Sequence, residues 1–220
     1  EEKGFLVVNK PSGLAVHGGS GVSFGLIELL RRHRDKKYET LELVHRIDKE
    51  TSGIILIAKK RSILRKLHQY FREGAIKKKY QALLIGNPFK EAFIIDQPIR
   101  IDRSNKNRKS IIDTDGLRAI TEFKMIERMN HASLFDISPI TGRTHQIRAH
   151  SAFIKMPIAG DLRYGIKNDI IKKSYGLKRL FLHASEISFP DFETPNSNYH
   201  FKADLPEELK TVLLNIKSLD

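Results

Sequence analysis

The stretch Leu43 to Lys60, LVHRIDKETSGIILIAKK, encodes the end of one strand, a tight polar turn and a buried strand. Leu43-Val44 closes an apolar run, and Thr51-Ser52-Gly53 has turn chemistry. Ile54-Ile55-Leu56-Ile57-Ala58 is a continuous apolar run bounded by Gly53 and Lys59. Asp48 lies in the middle of the turn, between two elements that a core holds still, where a carboxylate is well placed for chemistry. An Asp in a Thr/Ser/Gly-rich turn also serves to cap backbone amides, and spacing alone leaves both roles open.

Composition narrows the partners. The chain has 220 residues, 40% of them hydrophobic, enough for one sizeable core and one domain. The 39 Lys and Arg outnumber 26 Asp and Glu, for a net charge of +13. That excess points to a polyanion, nucleic acid first and an anionic membrane surface second. No apolar stretch approaches the roughly 20 residues that span a bilayer, and no signal-like run follows a basic start. Without cysteine there is no disulfide framework or thiolate metal site, which is compatible with a reducing cytosol. His145 and His150 are five apart, off the i, i+4 spacing of a helical ligand pair, so no metal site is expected.

Outward from the central turn, Gly4 to Asn9 reads as a first strand, followed by the glycine-bearing loop Pro11 to Gly21. That loop either cradles phosphate through its amides or simply connects. Ser23 to Arg34 reads as a helix with Ser23 as N-cap and a cationic end. Ser62 to Gly74 reads as a second, with Gly74 as its cap. Lys77-Lys78-Lys79 leads into the strand Tyr80 to Ile85, where Tyr80 either packs or stacks on a base. Ile99 to Gly116 gathers Arg100, Arg103, Lys106, Arg108 and Lys109 on a polar tongue. This suits a hairpin or loop reaching over a phosphate backbone, or a solvated surface loop. Thr121 to Arg128 and Ala132 to Ser138 read as paired strands, Thr144 to Ile154 as a helix, Phe181 to Phe189 and Tyr199 to Lys202 as closing strands, and Pro206 to Ile216 as a terminal helix. Without a steady βαβ alternation, an α+β fold with a mainly antiparallel sheet is expected.

His45-Arg46-Ile47-Asp48-Lys49-Glu50-Thr51-Ser52-Gly53 resembles the HRLDxxTSG signature of the RluA family of pseudouridine synthases. Three further stretches resemble the family in the same chain order: Val8-Asn9-Lys10-Pro11-Ser12-Gly13-Leu14, Lys78-Lys79-Tyr80-Gln81-Ala82-Leu83, and Thr141-Gly142-Arg143-Thr144-His145-Gln146-Ile147-Arg148. The resemblance spans about residues 5 to 202. Lys155-Met156 departs from it, where members usually carry Gly-His. The members it most resembles, through Ala15 to Gly21 and Lys59 to Ser62, act on ribosomal RNA of the large subunit and carry an N-terminal S4-type RNA-binding domain. That module is expected to be missing here, leaving residues 1–220 as a single catalytic domain.

The resemblance implies a mixed, mainly antiparallel sheet with flanking helices and a central cleft. It also implies isomerisation of uridine to pseudouridine in 23S ribosomal RNA. This reaction breaks the N1–C1′ bond, turns the uracil and joins C5 to C1′, with no redox step, so no cofactor is demanded. Glycosidases place a carboxylate at the same type of carbon. By the resemblance, Asp48 is the catalytic group, Arg148 its cationic partner, and Tyr80 the ring stacked on the reacting uracil. Ile147 and Ile57 are candidate pocket walls. Arg46 would fill the space left by the flipped nucleotide, with His45, Arg143, His145 and the tongue cations as further RNA contacts. A monomer in the cytoplasm, bound to ribosomal RNA and to no membrane, is expected. Transfer RNA as substrate, or RNA binding without catalysis, are the alternatives.

Overall fold

The structure, a computed structural model, describes residues 1–19, 24–33, 41–102 and 109–219. In chain order its elements are β1 (Phe5–Lys10), α1 (Leu26–His33), β2 (Glu42–Leu43), β3 (Ser52–Ala58), α2 (Arg61–Arg72), β4 (Lys77–Ile85), β5 (Ala92–Asp96), β6 (Ile99–Asp102), β7 (Lys109–Ile112) and β8 (Ile120–Arg128). Then follow β9 (Ala132–Pro139), α3 (Gln146–Phe153), α4 (Ile170–Ser174), β10 (Leu182–Pro190), β11 (Asn198–Lys202) and α5 (Glu207–Leu219). They form two compact units, one of residues 1–77 and 184–203, the other of residues 78–183 and 204–220.

The first unit is built on β3. Every residue of this strand is buried, as its unbroken apolar run predicts. It pairs antiparallel with β1, from Phe5 opposite Ala58 to Lys10 opposite Gly53, and with the short β2. β10 pairs antiparallel with β11. Gly53 (φ +107°) sits where a Cβ would lie 2.2 Å from the Ala184 carbonyl oxygen, so only glycine fits. Leu67 and Tyr70 of α2 enter the core with Phe5, Leu56, Ile187 and Phe189. Phe5 meets Phe189, Phe192, Tyr199 and Phe201 edge-on, at 5.2 to 5.9 Å between centroids. α2 ends in a Schellman motif: the amide of Ala75 donates to Tyr70 O (2.9 Å) and that of Gly74, at φ +68°, to Phe71 O.

α1 begins later than Ser23. The Glu28 carboxylate accepts from the amides of Gly25 (2.8 Å) and Gly18 (3.0 Å), which makes Gly25 the entry residue. Ser23 and Arg34 lie outside the described residues.

In the second unit β5, β8, β9 and β4 form antiparallel pairs in that order. Phe93 stacks on Phe123, and Phe135 meets both edge-on. The tongue is a hairpin, with β6 and β7 paired from Ile99 opposite Ile112 to Asp102 opposite Lys109. α3 starts at Gln146 rather than Thr144 because His145 adopts a left-handed conformation (φ 51°). α5 buries Leu209, Val212 and Ile216, and its Lys217 pairs with Glu127 of β8 (2.8 Å).

Candidate active site

Asp48 occupies a turn that is clamped from behind. Lys10 has no exposed surface. Its ammonium donates to the carbonyls of Pro11 (2.8 Å), Leu14 (2.7 Å) and Lys49 (3.0 Å). Ser12 Oγ donates to Glu50 O (2.7 Å), and the amide of Gly13 to Lys49 O (2.9 Å). The turn closes on itself where Thr51 N donates to Asp48 O (3.1 Å). The Asn-Lys-Pro-Ser-Gly stretch thus fixes both carbonyls that follow Asp48. Ile47 is buried between exposed Arg46 and half-buried Asp48. On the other side, His45 Nε2 accepts from the amide of Leu56 (3.1 Å), and its ring lies 5.4 Å from that of Phe71. A nitrogen that accepts carries no proton, so this imidazole stitches the chain before Asp48 to β3.

The second unit carries the other candidates. Tyr80 stands on β4 opposite Ile137, with 9% of its surface exposed. Arg148 is equally enclosed: Asp161 takes its Nε (2.7 Å) and one Nη (2.8 Å) in a two-point pair. Its guanidinium lies over the Tyr164 ring, 5.1 Å from the centroid. Asp161 also accepts from the amides of Arg163 and Tyr164. Burial pushes its carboxyl up, but Arg148 and those two amides outweigh this and hold it below the usual range. The plane of the Arg148 guanidinium is therefore set before any ligand arrives.

The Thr-Gly-Arg-Thr-His-Gln segment is organised by Gln146. Its side-chain oxygen accepts from Thr141 Oγ1 (2.7 Å) and Arg143 N (2.9 Å). Its nitrogen donates to Ile120 O and Thr121 Oγ1, both at 2.9 Å. His145 Nδ1 shares a hydrogen bond with Tyr164 OH (3.0 Å). The same hydroxyl accepts from Ser110 N (2.7 Å), while Ser110 Oγ donates to Thr144 O (2.6 Å). This ties β7 to the segment that carries Arg143 and His145.

The tongue cations divide. Arg100 is paired with Asp113 (2.6 Å), Lys109 lies over the Tyr164 ring at 4.7 Å, and Arg103, Lys106 and Arg108 lie outside the described residues. Ile147 is buried, and Ile57 has no exposed surface. Residue chemistry alone does not single out Lys10, Gln146, Asp161 or Tyr164: Lys10 and Gln146 fall inside the stretches that resemble the family, and Asp161 and Tyr164 lie outside them.

The α+β fold narrows the class, and comparison with known proteins supplies the family. Residues 4–153 match the RNA pseudouridylate synthase family model, and the chain belongs to that family. It is 44% identical to the ribosomal large subunit pseudouridine synthase C of Buchnera aphidicola subsp. Baizongia pistaciae, over 98% of this chain and 69% of that protein. It is likewise 44% identical to the protein of that name from Vibrio vulnificus, over 99% and 68%. Among solved structures it resembles human RNA pseudouridylate synthase domain containing 4 (TM-score 0.80, 27% identity, 99% of this chain and 91% of that one). Human RNA pseudouridylate synthase domain containing 1, at TM-score 0.77 and 24% identity over 96% and 85%, shares the fold. Isomerase activity as a pseudouridine synthase follows from the family.

Proposed function

We propose that the chain isomerises specific uridines of 23S ribosomal RNA, with Asp48 as the catalytic carboxylate and residues 1–220 acting as a single catalytic domain. The observation that carries the reading is the clamped turn. Lys10, Ser12 and Gly13 immobilise the carbonyls of Lys49 and Glu50, which is how a scaffold aims a reacting side chain. The 44% identity to relatives named for the ribosomal large subunit supports the choice of RNA.

In the proposed reaction the Asp48 carboxylate meets C1′ as the bond to N1 lengthens and positive charge grows on the sugar. The released uracil turns and C5 bonds to C1′. The C5 proton is then lost and N1 gains one, so atoms and charge balance without a cofactor. Tyr80 holds the flat ring through the turn. Arg148, its plane set by Asp161, is the cationic group of the proposed reaction. Arg46, His45 and His145 would contact the opened RNA strand. The cytoplasm is the compartment this substrate implies, with the chain as a monomer. Among the described residues no helix is long and apolar enough to cross a membrane.

The test is tritium release from C5-labelled uridine in two transcripts, large-subunit ribosomal RNA and a transfer RNA pool. Release from the ribosomal transcript alone is expected. Release from transfer RNA alone would redirect the substrate, and release from neither would end the proposal.

A further inference from the structure

The second unit holds a cavity of about 510 Å³ between the β6–β7 hairpin, the turn before Ala119 and the segment Gly142 to Thr144. This is within the 300–1,000 Å³ typical of small-ligand sites. Neither Tyr80 nor Arg148 is among its described walls. Its apolar side is Ile99, Ile101 and Leu117, and Leu117 is 63% exposed, so its side chain is open to a ligand in the hollow.

Its two arginines differ. Arg100 is occupied by Asp113. From its side chain, among the described residues, Arg143 donates only Nε, to Arg118 O at 3.0 Å. That single tether orients the guanidinium, and among the described residues both Nη groups have no hydrogen-bond partner. A planar two-donor edge, pre-oriented at the rim of an apolar hollow, matches a phosphate oxygen pair beside a flat ring. Behind Gly142 lies Lys78, its Nζ 3.7 Å from where a side chain on Gly142 would begin, with burial lowering its pKa to about 8.

We propose that this cavity receives one unstacked nucleotide of the RNA strand other than the reacting uridine, its base against Leu117 and Ile101 and its phosphate on the Nη edge of Arg143. The proposal rests on the reading of the chain as an RNA-modifying enzyme and adds a second point of grip. Single-stranded RNA is read in this way, by apolar and guanidinium surfaces holding splayed bases. The net charge of +13 favours a polyanion over a neutral metabolite.

The test measures fluorescence anisotropy with a labelled single-stranded RNA of about 15 nucleotides and an abasic sugar–phosphate strand of the same length. Leu117 and Arg143 are both exposed, so Leu117→Ser and Arg143→Gln should fold. Leu117→Ser is expected to weaken the base-bearing strand several-fold and leave the abasic strand unchanged. Arg143→Gln is expected to lower the slope of log K against log salt by about 0.7, one single-strand phosphate contact, for both strands. Equal effects of Leu117→Ser on the two strands, or an unchanged slope in Arg143→Gln, would overturn the assignment. So would binding of a free nucleoside monophosphate as tight as that of the strand. Binding alone is read, so a failure here is separate from any failure of turnover.

Discussion

With no exposed surface and three carbonyls around its ammonium, Lys10 does for the Asp48 turn what a cap does for a helix. Lys10→Met keeps most of the packing volume but strips the donor from the carbonyls of Pro11, Leu14 and Lys49. Each buried acceptor left unmade costs about 1–3 kcal/mol. Partial relief by water would bring the sum to about 3 kcal/mol, a melting temperature lower by about 10 °C in a chain of this size. Turnover should fall further than stability explains. A variant with unchanged melting and turnover would show that the clamp is idle. Asp161 holds the corresponding position behind Arg148. Its carboxyl is held low in the folded state, so its stabilisation is present above the unfolded value and is lost as pH falls through the folded one. Asp161→Asn leaves the enclosed Arg148 charge without its counter-ion and should cost about 3–5 kcal/mol at neutral pH. The acid limb of its stability curve should also flatten; an acid limb identical to that of the parent protein would contradict this role. Neither residue's part is legible from the chain. Lys10 and Lys49 are 39 positions apart, Arg148 and Asp161 are 13, and no local pattern announces either bond.

At the scale of elements, two glycines with left-handed backbone separate steric need from conformational need. A Cβ on Gly53 would collide with the Ala184 carbonyl, whereas nothing lies within 4 Å of one on Gly74. Gly53→Ala should therefore destabilise by more than 2 kcal/mol, beyond the ordinary cost of a strained backbone. Gly74→Asn, at the end of α2, should cost under ~1 kcal/mol because Asn tolerates this region. Equal melting temperatures for the two variants would remove the close approach of β3 to the β10 backbone as the reason for Gly53. Elements with a strong apolar period were legible. β3 reads off its buried run, α2 off its end at Gly74, and the β8–β9 pair off the paired runs Thr121 to Arg128 and Ala132 to Ser138. β5 and α4 were not, since β5 alternates weakly around exposed Ile94 and α4 is five residues held by its Asp169 cap. The start of α3 was misplaced by two residues because His145 spends its backbone on a left-handed turn that no propensity predicts.

Across the whole molecule, affinity and chemistry are distributed differently. The charge excess of +13 is spread over the chain, so RNA binding draws on many weak phosphate contacts that salt screens together. Chemistry rests, in the proposed account, on one carboxylate. The four family stretches fall in both compact units, which is why composition predicts the class of partner but only the motifs predict the reaction. Removing the charge of Asp48 should therefore separate the two properties. The decisive measurement compares wild type and Asp48→Asn for single-turnover tritium release from C5-labelled large-subunit RNA, with affinity for the same RNA measured alongside. Release is expected to be abolished in Asp48→Asn, with the dissociation constant within about threefold of wild type, well under the ~1.4 kcal/mol of a tenfold change. Tritium release by Asp48→Asn at a rate near that of wild type would contradict it.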